Sequence, residues 1–488
     1  MSLATLLEGW VSSQPTHTAD PVIVNGICLD SRKVKAGDVF VAVSGDASHG
    51  MQFAMEAQAR GAVAIVHDGQ AVLADVNIPC VLVEGLGKQL SALGARFFHA
   101  PSDRLVVTGV TGTNGKTSTA HFIAQSWQRV SGNAGLIGTI GYGALNRLQP
   151  ADLTTPDPIS VQRMLSECID SGVENVAMEV SSHALHQGRV ADVAFQAAVF
   201  TNLTRDHLDY HGSMEAYAAA KRRLFTDCQP RFAIINRDDE FGRQLIDELG
   251  SSCEVLSYGT NGNAELAAKV MQMDSTGMNL EISSPWGGGR LRSGLLGRFN
   301  VSNLMATAGS LALLGMPWNK VMHQLELMQP VPGRMHCLGG EGGLPVVVVD
   351  FAHTPDALRQ ALEALQSHLH GRLTCVFGCG GDRDRGKRAM MAAVAESLSD
   401  KVILTNDNPR SEAPEAIFAD MLAGMQSPDR AMVMADRAAA IRLAIQDSRP
   451  GDIVLVAGKG HETYQELHGN RLPFSDVAAV QAVLEEAA

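Results

Sequence analysis

Long apolar runs are missing from this 488-residue chain, and so are paired cysteine motifs and any excess of basic residues. No stretch reaches the roughly 18 consecutive apolar residues that a membrane-spanning helix needs, and Met1 to Thr16 carries no charged-then-apolar leader. These absences predict a soluble protein that is not exported and makes no membrane contact. The eight cysteines, Cys28, Cys80, Cys168, Cys228, Cys253, Cys337, Cys375 and Cys379, are scattered without CxxC spacing. That pattern fits reduced thiols better than a disulfide framework or a zinc site, and so points to the cytoplasm. Thirty-nine Lys and Arg against 52 Asp and Glu leave a net charge of −13. Binding to a phosphate backbone needs a basic face, so nucleic acid is excluded as the main partner. An anionic substrate must then meet positive charge that is local to its site. No internal repeat at fixed period and no low-complexity segment occurs.

What is present is a recurring unit: a short β-branched run, a Gly-rich or polar turn, then an amphipathic helical stretch. That is the pattern of α/β units around mostly parallel sheets, in which ligands bind beyond the carboxyl ends of the strands. The length predicts more than one domain. We read three: residues 1–98 with strands at Val39–Val43 and Ala62–Val66, residues 99–331 with a phosphate loop, and residues 332–488 with a Rossmann-like pattern. The middle domain has strands at Leu105–Val107, Val176–Met178, Ala197–Phe200 and Ala233–Ile235. The last has them at Val346–Val349, Leu373–Phe377, Val402–Leu404 and Ile453–Val456. Pro330 to Arg334, with two prolines and a glycine, reads as the linker between these two domains.

The strongest chemical signal follows Leu105–Val107. Gly112, Thr113, Asn114, Gly115, Lys116 and Thr117 form a GxxGKT loop that opens an amphipathic helix. Glycines let backbone N–H groups close around phosphate oxygens, Lys116 reaches the β- and γ-phosphates of ATP, and the Thr117 hydroxyl can ligate Mg²⁺. Position 110 is Val110, so the loop is shorter than the six-residue GxxxxGK form. Glu179 ends the next strand and suits either a divalent ion or a helix cap. The following strand leads into Thr201 to His211, where His207 and His211 lie beside two acids and serve either a metal or a solvated loop.

Several long motifs occur in one order along the whole chain: TGTNGKTS, EVSSHAL, NLTRDHLDYHG followed by YAAAK, DFAHTPDAL, GCGGDRDRGKR, DNPR and GKGHE. Together they resemble the Mur ligase family. The resemblance implies an α/β fold of three domains: a UDP-substrate-binding domain, a central P-loop domain and a Rossmann-like domain that binds the amino acid. It implies an ATP-dependent amide ligase that is a cytoplasmic monomer. Its substrates would be UDP-N-acetylmuramoyl-L-Ala-D-Glu and meso-diaminopimelate, joined through an acyl phosphate. By resemblance Lys116, His207 and Lys221 are catalytic, and Thr117, Glu179, His207 and a carbamoylated Lys221 hold Mg²⁺. Without the family, Lys221 reads as a solvated helical lysine.

The same resemblance carries Asn303 to adenine, Arg334 to phosphate and Asp350 to the ribose hydroxyls. Met335 is followed here by His336 where the family usually has an acid or amide, and Phe351 replaces a tyrosine, a change read as neutral packing. Ser31, Thr154, Thr155, Ser181, Gln187 and Arg189 would bind the UDP substrate. Arg383, Asp407, Asn408, Arg410, Gly458 and Glu462 would bind the amino acid. Diaminopimelate exceeds lysine by one carboxylate, and the guanidinium of Arg410 offers it a two-pronged partner. A lysine-adding or other Mur-like amide ligase, such as a folylpolyglutamate enzyme, is the alternative. The phosphate loop taken alone also fits a nucleotide-regulated switch without ligase chemistry.

Overall fold

The computed structural model describes residues 1–11, 21–45, 48–69, 75–151, 153–250, 252–274, 276–340 and 343–487. The opening stretch read above as lacking a leader is thus described only as far as Val11. The chain forms two compact units. The first comprises Met1–Lys116, Ile123–Ile235 and Asp239–Val255, and the second Thr117–Phe122, Asn236–Asp238 and Leu256–Ala488.

Within the first unit a small parallel sheet runs in the order Gly26–Cys28, Asp38–Ala42, Ala64–His67, Cys80–Leu82. The helix Leu86–Phe97 packs against the helix Pro158–Asp170, and the approach is close: a Cβ on Gly94 would lie 3.1 Å from Gln162 Cγ. Ser91 and Ser102 fasten the same junction, accepting hydrogen bonds from the amides of Asp192 and Ala194 at 2.9 and 3.0 Å. The larger sheet of this unit has the order Phe232–Asn236, Phe195–Phe200, Val106–Thr111, Asn175–Glu179, Ala134–Gly138, Gly141–Ala144. Only the last strand is antiparallel to its neighbour. Such strands are covered on both faces, which is why they read as continuous apolar runs. Chain order reverses about Val106–Thr111, so the phosphate loop leaves the sheet at a switch point, where open α/β sheets bind ligands.

The second unit holds a sheet ordered His336–Gly339, Val346–Asp350, Ile453–Ala457, Leu373–Phe377, Lys401–Leu404, Met432–Val433. All neighbours are parallel except the first pair. Its two faces are filled by separate apolar clusters, one around Leu358, Phe377 and Met391, the other around Ile441, Val454 and Val480. The same unit contains an antiparallel set, Leu266–Asp274, Gly277–Ser283 and Gly289–Ser293, and the helix Phe299–Leu313, most of whose residues are buried. Pro330 to Arg334 forms a tight turn: the Arg334 amide donates to Val331 O at 2.9 Å, and Val331 is buried. Among the described residues no helix is long and apolar enough to cross a membrane.

Candidate active site

Each unit gathers a cluster of the residues singled out in the sequence. In the first, the phosphate loop is shaped by Gly112 and Gly115, whose φ values of 149° and 84° suit residues without a side chain. A Cβ on Gly112 would lie 1.8 Å from Thr201 Oγ1. Gly112→Ala is therefore expected to abolish saturable ATP binding in calorimetry while the chain remains folded. Thr201 and Asn202 lace the loop from the neighbouring strand: Asn114 N donates to Asn202 Oδ1 at 2.9 Å, and Thr201 Oγ1 donates to Asn114 O at 2.6 Å. The Lys116 ammonium donates to Gly112 O and Thr113 O at 3.0 and 2.8 Å, a curled position from which it faces the loop interior.

Lys221 is not solvated. It is 1% exposed, donates to Gly112 O at 2.7 Å and lies 4.4 Å from the centre of the Tyr217 ring. Burial, reinforced by the charge of Lys116, drives its pKa well below that of a free lysine. Glu179 ends its strand directly across from Val110, also buried. It does not cap the following helix, because Ser181 does so through Ala184 N. Its oxygens accept from Thr139 N at 2.7 Å and Thr139 Oγ1 at 3.2 Å, and Thr139 Oγ1 meets Thr154 Oγ1 at 3.1 Å. The Thr155 hydroxyl bridges Glu179 O and Ser181 N at 2.9 and 3.0 Å.

Arg189 donates to Thr155 O at 2.7 Å and to Gln187 Oε1 at 2.6 Å, and Gln187 in turn donates to Tyr210 OH at 3.0 Å. His207 has φ 52° and an exposed ring, 4.9 Å from that of His183, which also stacks at 4.1 Å on Tyr210. Burial lowers the pKa values of His183 and His211, so both favour the neutral form. Ser31 lies apart from these groups in the short helical turn Ser31–Lys33 between the first two strands of the small sheet, where its hydroxyl donates to Glu56 at 2.7 Å. Among the described residues no three His, Cys, Asp or Glu side chains converge to hold a metal ion by themselves. Buried carboxylate at the loop's edge still fits Mg²⁺, which takes few protein ligands and completes its shell with phosphate oxygens and water.

In the second unit, Asn303 is buried in the helix Phe299–Leu313, accepting from Thr119 Oγ1 at 3.4 Å and donating to Asn300 Oδ1 at 2.9 Å. Asp350 does not cap the helix after it. Thr354 has that role, while the Asp350 carboxylate accepts the amides of Met335 and Ala352 at 2.7 and 2.8 Å. Burial pushes its pKa up despite those amides and the nearby Arg334. Phe351 keeps the aromatic ring that a tyrosine would supply here. Its ring lies 4.9 Å beneath the Arg334 guanidinium and 5.2 Å from the His461 ring, so it carries Arg334. Gly333 and Gly460 make this junction possible, a Cβ on Gly333 falling 2.1 Å from His461 N.

The DNPR segment is not a surface turn, because Asp407, Asn408 and Pro409 are buried. Asn408 donates to Glu462 Oε2 at 2.9 Å. Between them lies Lys459, fully buried, with its ammonium 3.0 Å from Asn408 Oδ1, 2.8 Å from Glu462 Oε2 and 3.6 Å from Asp407 Oδ1. Gly458, φ 115°, leaves room for Asp407, whose carboxylate would lie 3.0 Å from a Cβ there. Burial raises the Asp407 pKa against the pull of Arg437 and Lys459. Arg410, φ 54°, donates from Nη1 to Gly381 O at 2.7 Å and has Glu466 Oε2 3.7 Å from its Nε. Arg383 sits exposed on the glycine loop.

Sequence reasoning missed Lys459, although it stands inside the GKGHE run, and Arg437, which reads as a helix-surface arginine. Arg437 is in fact fully buried, paired with Asp476 at 2.7 and 2.8 Å and donating to Ala457 O at 2.9 Å. Its removal leaves a buried carboxylate uncompensated. Arg437→Met is expected to cost about 3–5 kcal/mol, read from the denaturant midpoint of the full chain.

The loop-bearing parallel sheet, the buried amine and acid at its edge and the separate charged pocket on a Rossmann-like sheet define an ATP-dependent amide ligase, and this chain belongs to the Mur ligase family. Residues 23–114 match the family's catalytic domain, 110–311 its middle domain and 333–460 its glutamate ligase domain. Over 96% of its length the chain is 47% identical to the UDP-N-acetylmuramoyl-L-alanyl-D-glutamate–2,6-diaminopimelate ligase of Xylella fastidiosa (strain Temecula1), covering 95% of that protein. The Pseudomonas aeruginosa enzyme of the same name is 47% identical over 95% of both chains. A solved structure of a ligase of that name superposes with a TM-score of 0.74 at 34% identity, covering 100% of this chain and 99% of the other. The ADP complex of MurF from Thermotoga maritima shares the fold, with a TM-score of 0.62 at 20% identity over 96% and 99% of the two chains.

Proposed function

We propose that this chain joins meso-diaminopimelate to the D-glutamyl γ-carboxylate of UDP-N-acetylmuramoyl-L-alanyl-D-glutamate, with cleavage of ATP to ADP and phosphate. The observation that carries this reading is the DNPR segment, whose Arg410 guanidinium lies 3.7 Å from Glu466 and whose buried Asn408 is tied to the buried Lys459 and to Glu462. An amino acid with an ammonium and a second carboxylate on one distal carbon meets opposite charges there, whereas lysine has nothing for Arg410 to bind.

In this reading the loop amides and Lys116 cradle the β- and γ-phosphates, Asn303 reads adenine and Asp350 the ribose. A substrate carboxylate oxygen attacks the γ-phosphorus and ADP departs. Lys116 holds the charge that builds on the transferring group, a step governed by positioning and neutralisation. The free amine of diaminopimelate, having lost its ammonium proton, then attacks the acyl carbon. The tetrahedral adduct loses one nitrogen proton to solvent and expels phosphate, which keeps the former carboxylate oxygen. Thr117, Glu179, His207 and Lys221 would hold Mg²⁺, which supplies charge neutralisation at the phosphates. Lys221 is suited to that as a carbamate: burial favours its neutral amine, and addition of CO₂ with loss of a proton would give an anionic oxygen ligand. Ser31, Thr154, Thr155, Ser181, Gln187 and Arg189 would bind the uridine and muramoyl-dipeptide portion. The domain limits 1–98, 99–331 and 332–488, a monomeric state and a cytoplasmic location belong to the same reading.

The test is an ADP-release assay. Turnover is expected only when UDP-muramoyl-dipeptide and an amino acid are both present, fast with diaminopimelate and slow with lysine, and no ADP above background with diaminopimelate would retire the proposal.

A further inference from the structure

Resting on the reading that the chain takes diaminopimelate, we propose that Asp382 is a positioning residue that aims the Arg410 guanidinium at the substrate's second carboxylate. Arg410 itself is poorly constrained by sequence: a long, flexible side chain on a residue held at φ 54°. Its direction is held by the Glu466 carboxylate, 3.7 Å from Nε, and by the backbone oxygen of Gly381, which accepts from Nη1 at 2.7 Å and belongs to the residue just before Asp382. Asp382 also has φ 54°, an uncommon backbone state for a residue with a side chain, so something must hold it.

Its carboxylate grips the far side of Arg410. Oδ1 accepts from Ser411 Oγ at 2.7 Å and Oδ2 from Ser411 N at 3.1 Å. Its own amide donates to Glu412 Oε1 at 2.6 Å. Glu412 is anchored in turn by the fully buried Arg388, at 2.8 and 3.0 Å, and Arg388 also donates to Gly380 O at 3.2 Å. The Gly381 amide donates to Asn408 O at 2.9 Å, and a Cβ on Gly381 would fall 1.9 Å from Pro409 O. The glycine loop and the DNPR turn are thus one laced unit, and Asp382 closes the lacing on both sides of Arg410. Asp382 and Ser411 are both exposed, so the clasp can be cut without emptying a core.

Removing Glu412 or Arg388 would strand a buried charge and confuse folding with positioning, so the experiment uses Asp382→Ala, Ser411→Ala, the double variant and Asp382→Asn. Loss of a hydrogen bond to a charged group is expected to raise KM for diaminopimelate about tenfold, with kcat and KM for ATP unchanged. The double variant should match the single ones, because both cut the same clasp. Asparagine, which still accepts one bond and tolerates the left-handed backbone, should restore most of the loss. An unchanged KM for diaminopimelate in Asp382→Ala overturns the proposal. So does a parallel rise in every KM with a lowered melting temperature, which marks a merely structural role. Failure of the unaltered enzyme to turn over diaminopimelate strikes the functional reading itself, and is told apart because it needs no variant.

Discussion

Arg410→Glu is expected to raise KM for diaminopimelate by roughly a thousandfold, because it replaces a charge-assisted pair worth several kcal/mol with a repulsive one. The site magnifies the effect. Asp407, Asn408 and Pro409 are buried, so the guanidinium stands on a dry base, and Glu466 already lies 3.7 Å from it. A second carboxylate from Arg410→Glu would put a repelling charge where the guanidinium stood. Arg410→Lys keeps the charge and loses the fork, so a rise of about tenfold is expected from it. Slow turnover of lysine, which presents no distal carboxylate, should be unaffected by either change. Initial-rate kinetics with both amino acids read all of this, and equal losses for lysine and diaminopimelate would remove Arg410 from amino-acid selection.

The second large effect lies at Lys221, whose alanine variant is expected to lose about a thousandfold in kcat while KM for ATP changes little, as when a transition-state charge partner is removed. The argument starts from burial. An ammonium held at 1% exposure beside Lys116 is disfavoured, which favours the neutral amine that adds CO₂. A carbamate there would sit against the loop carbonyl of Gly112 with its charge opposite to that of Lys116. Arginine cannot form it, so Lys221→Arg should be as inactive as alanine. Depleting CO₂ should slow the unaltered enzyme and bicarbonate should restore it, with the carbamate carbon visible by NMR after isotopic enrichment. Full activity of Lys221→Arg would dismiss the modification.

Much of this was legible in the sequence because local signals and tertiary demands coincide. VVVVD and IVLVA are unbroken apolar runs because parallel central strands are covered on both faces, and the glycines of TGTNGKT are there because a side chain at Gly112 would strike Thr201. The antiparallel strands from Leu266 to Ser293 were not legible: a register shift between Val270 and Gln272 breaks the alternation, and residues such as Met271 face solvent. Lys221 was opaque for another reason. Nothing in YAAAKRRLF separates a buried lysine from a solvated one, since burial is decided by the loop packed on it, more than 100 residues earlier in the chain. The contact between Phe351 and Arg334 was hidden likewise, since Arg334 comes from a separate turn. Lys459 and Arg437 carry charge in positions where charge ordinarily marks surface, and only the acids from distant segments reveal them as buried counter-ions.

The most direct measurement is one mass spectrum of a single reaction containing ATP, equal amounts of diaminopimelate and lysine, and UDP-muramoyl-dipeptide carrying heavy oxygen in its γ-carboxylate. The expected result is a product that contains diaminopimelate and phosphate that has gained one heavy oxygen. A lysine-containing product, or phosphate free of label while product accumulates, would contradict the account.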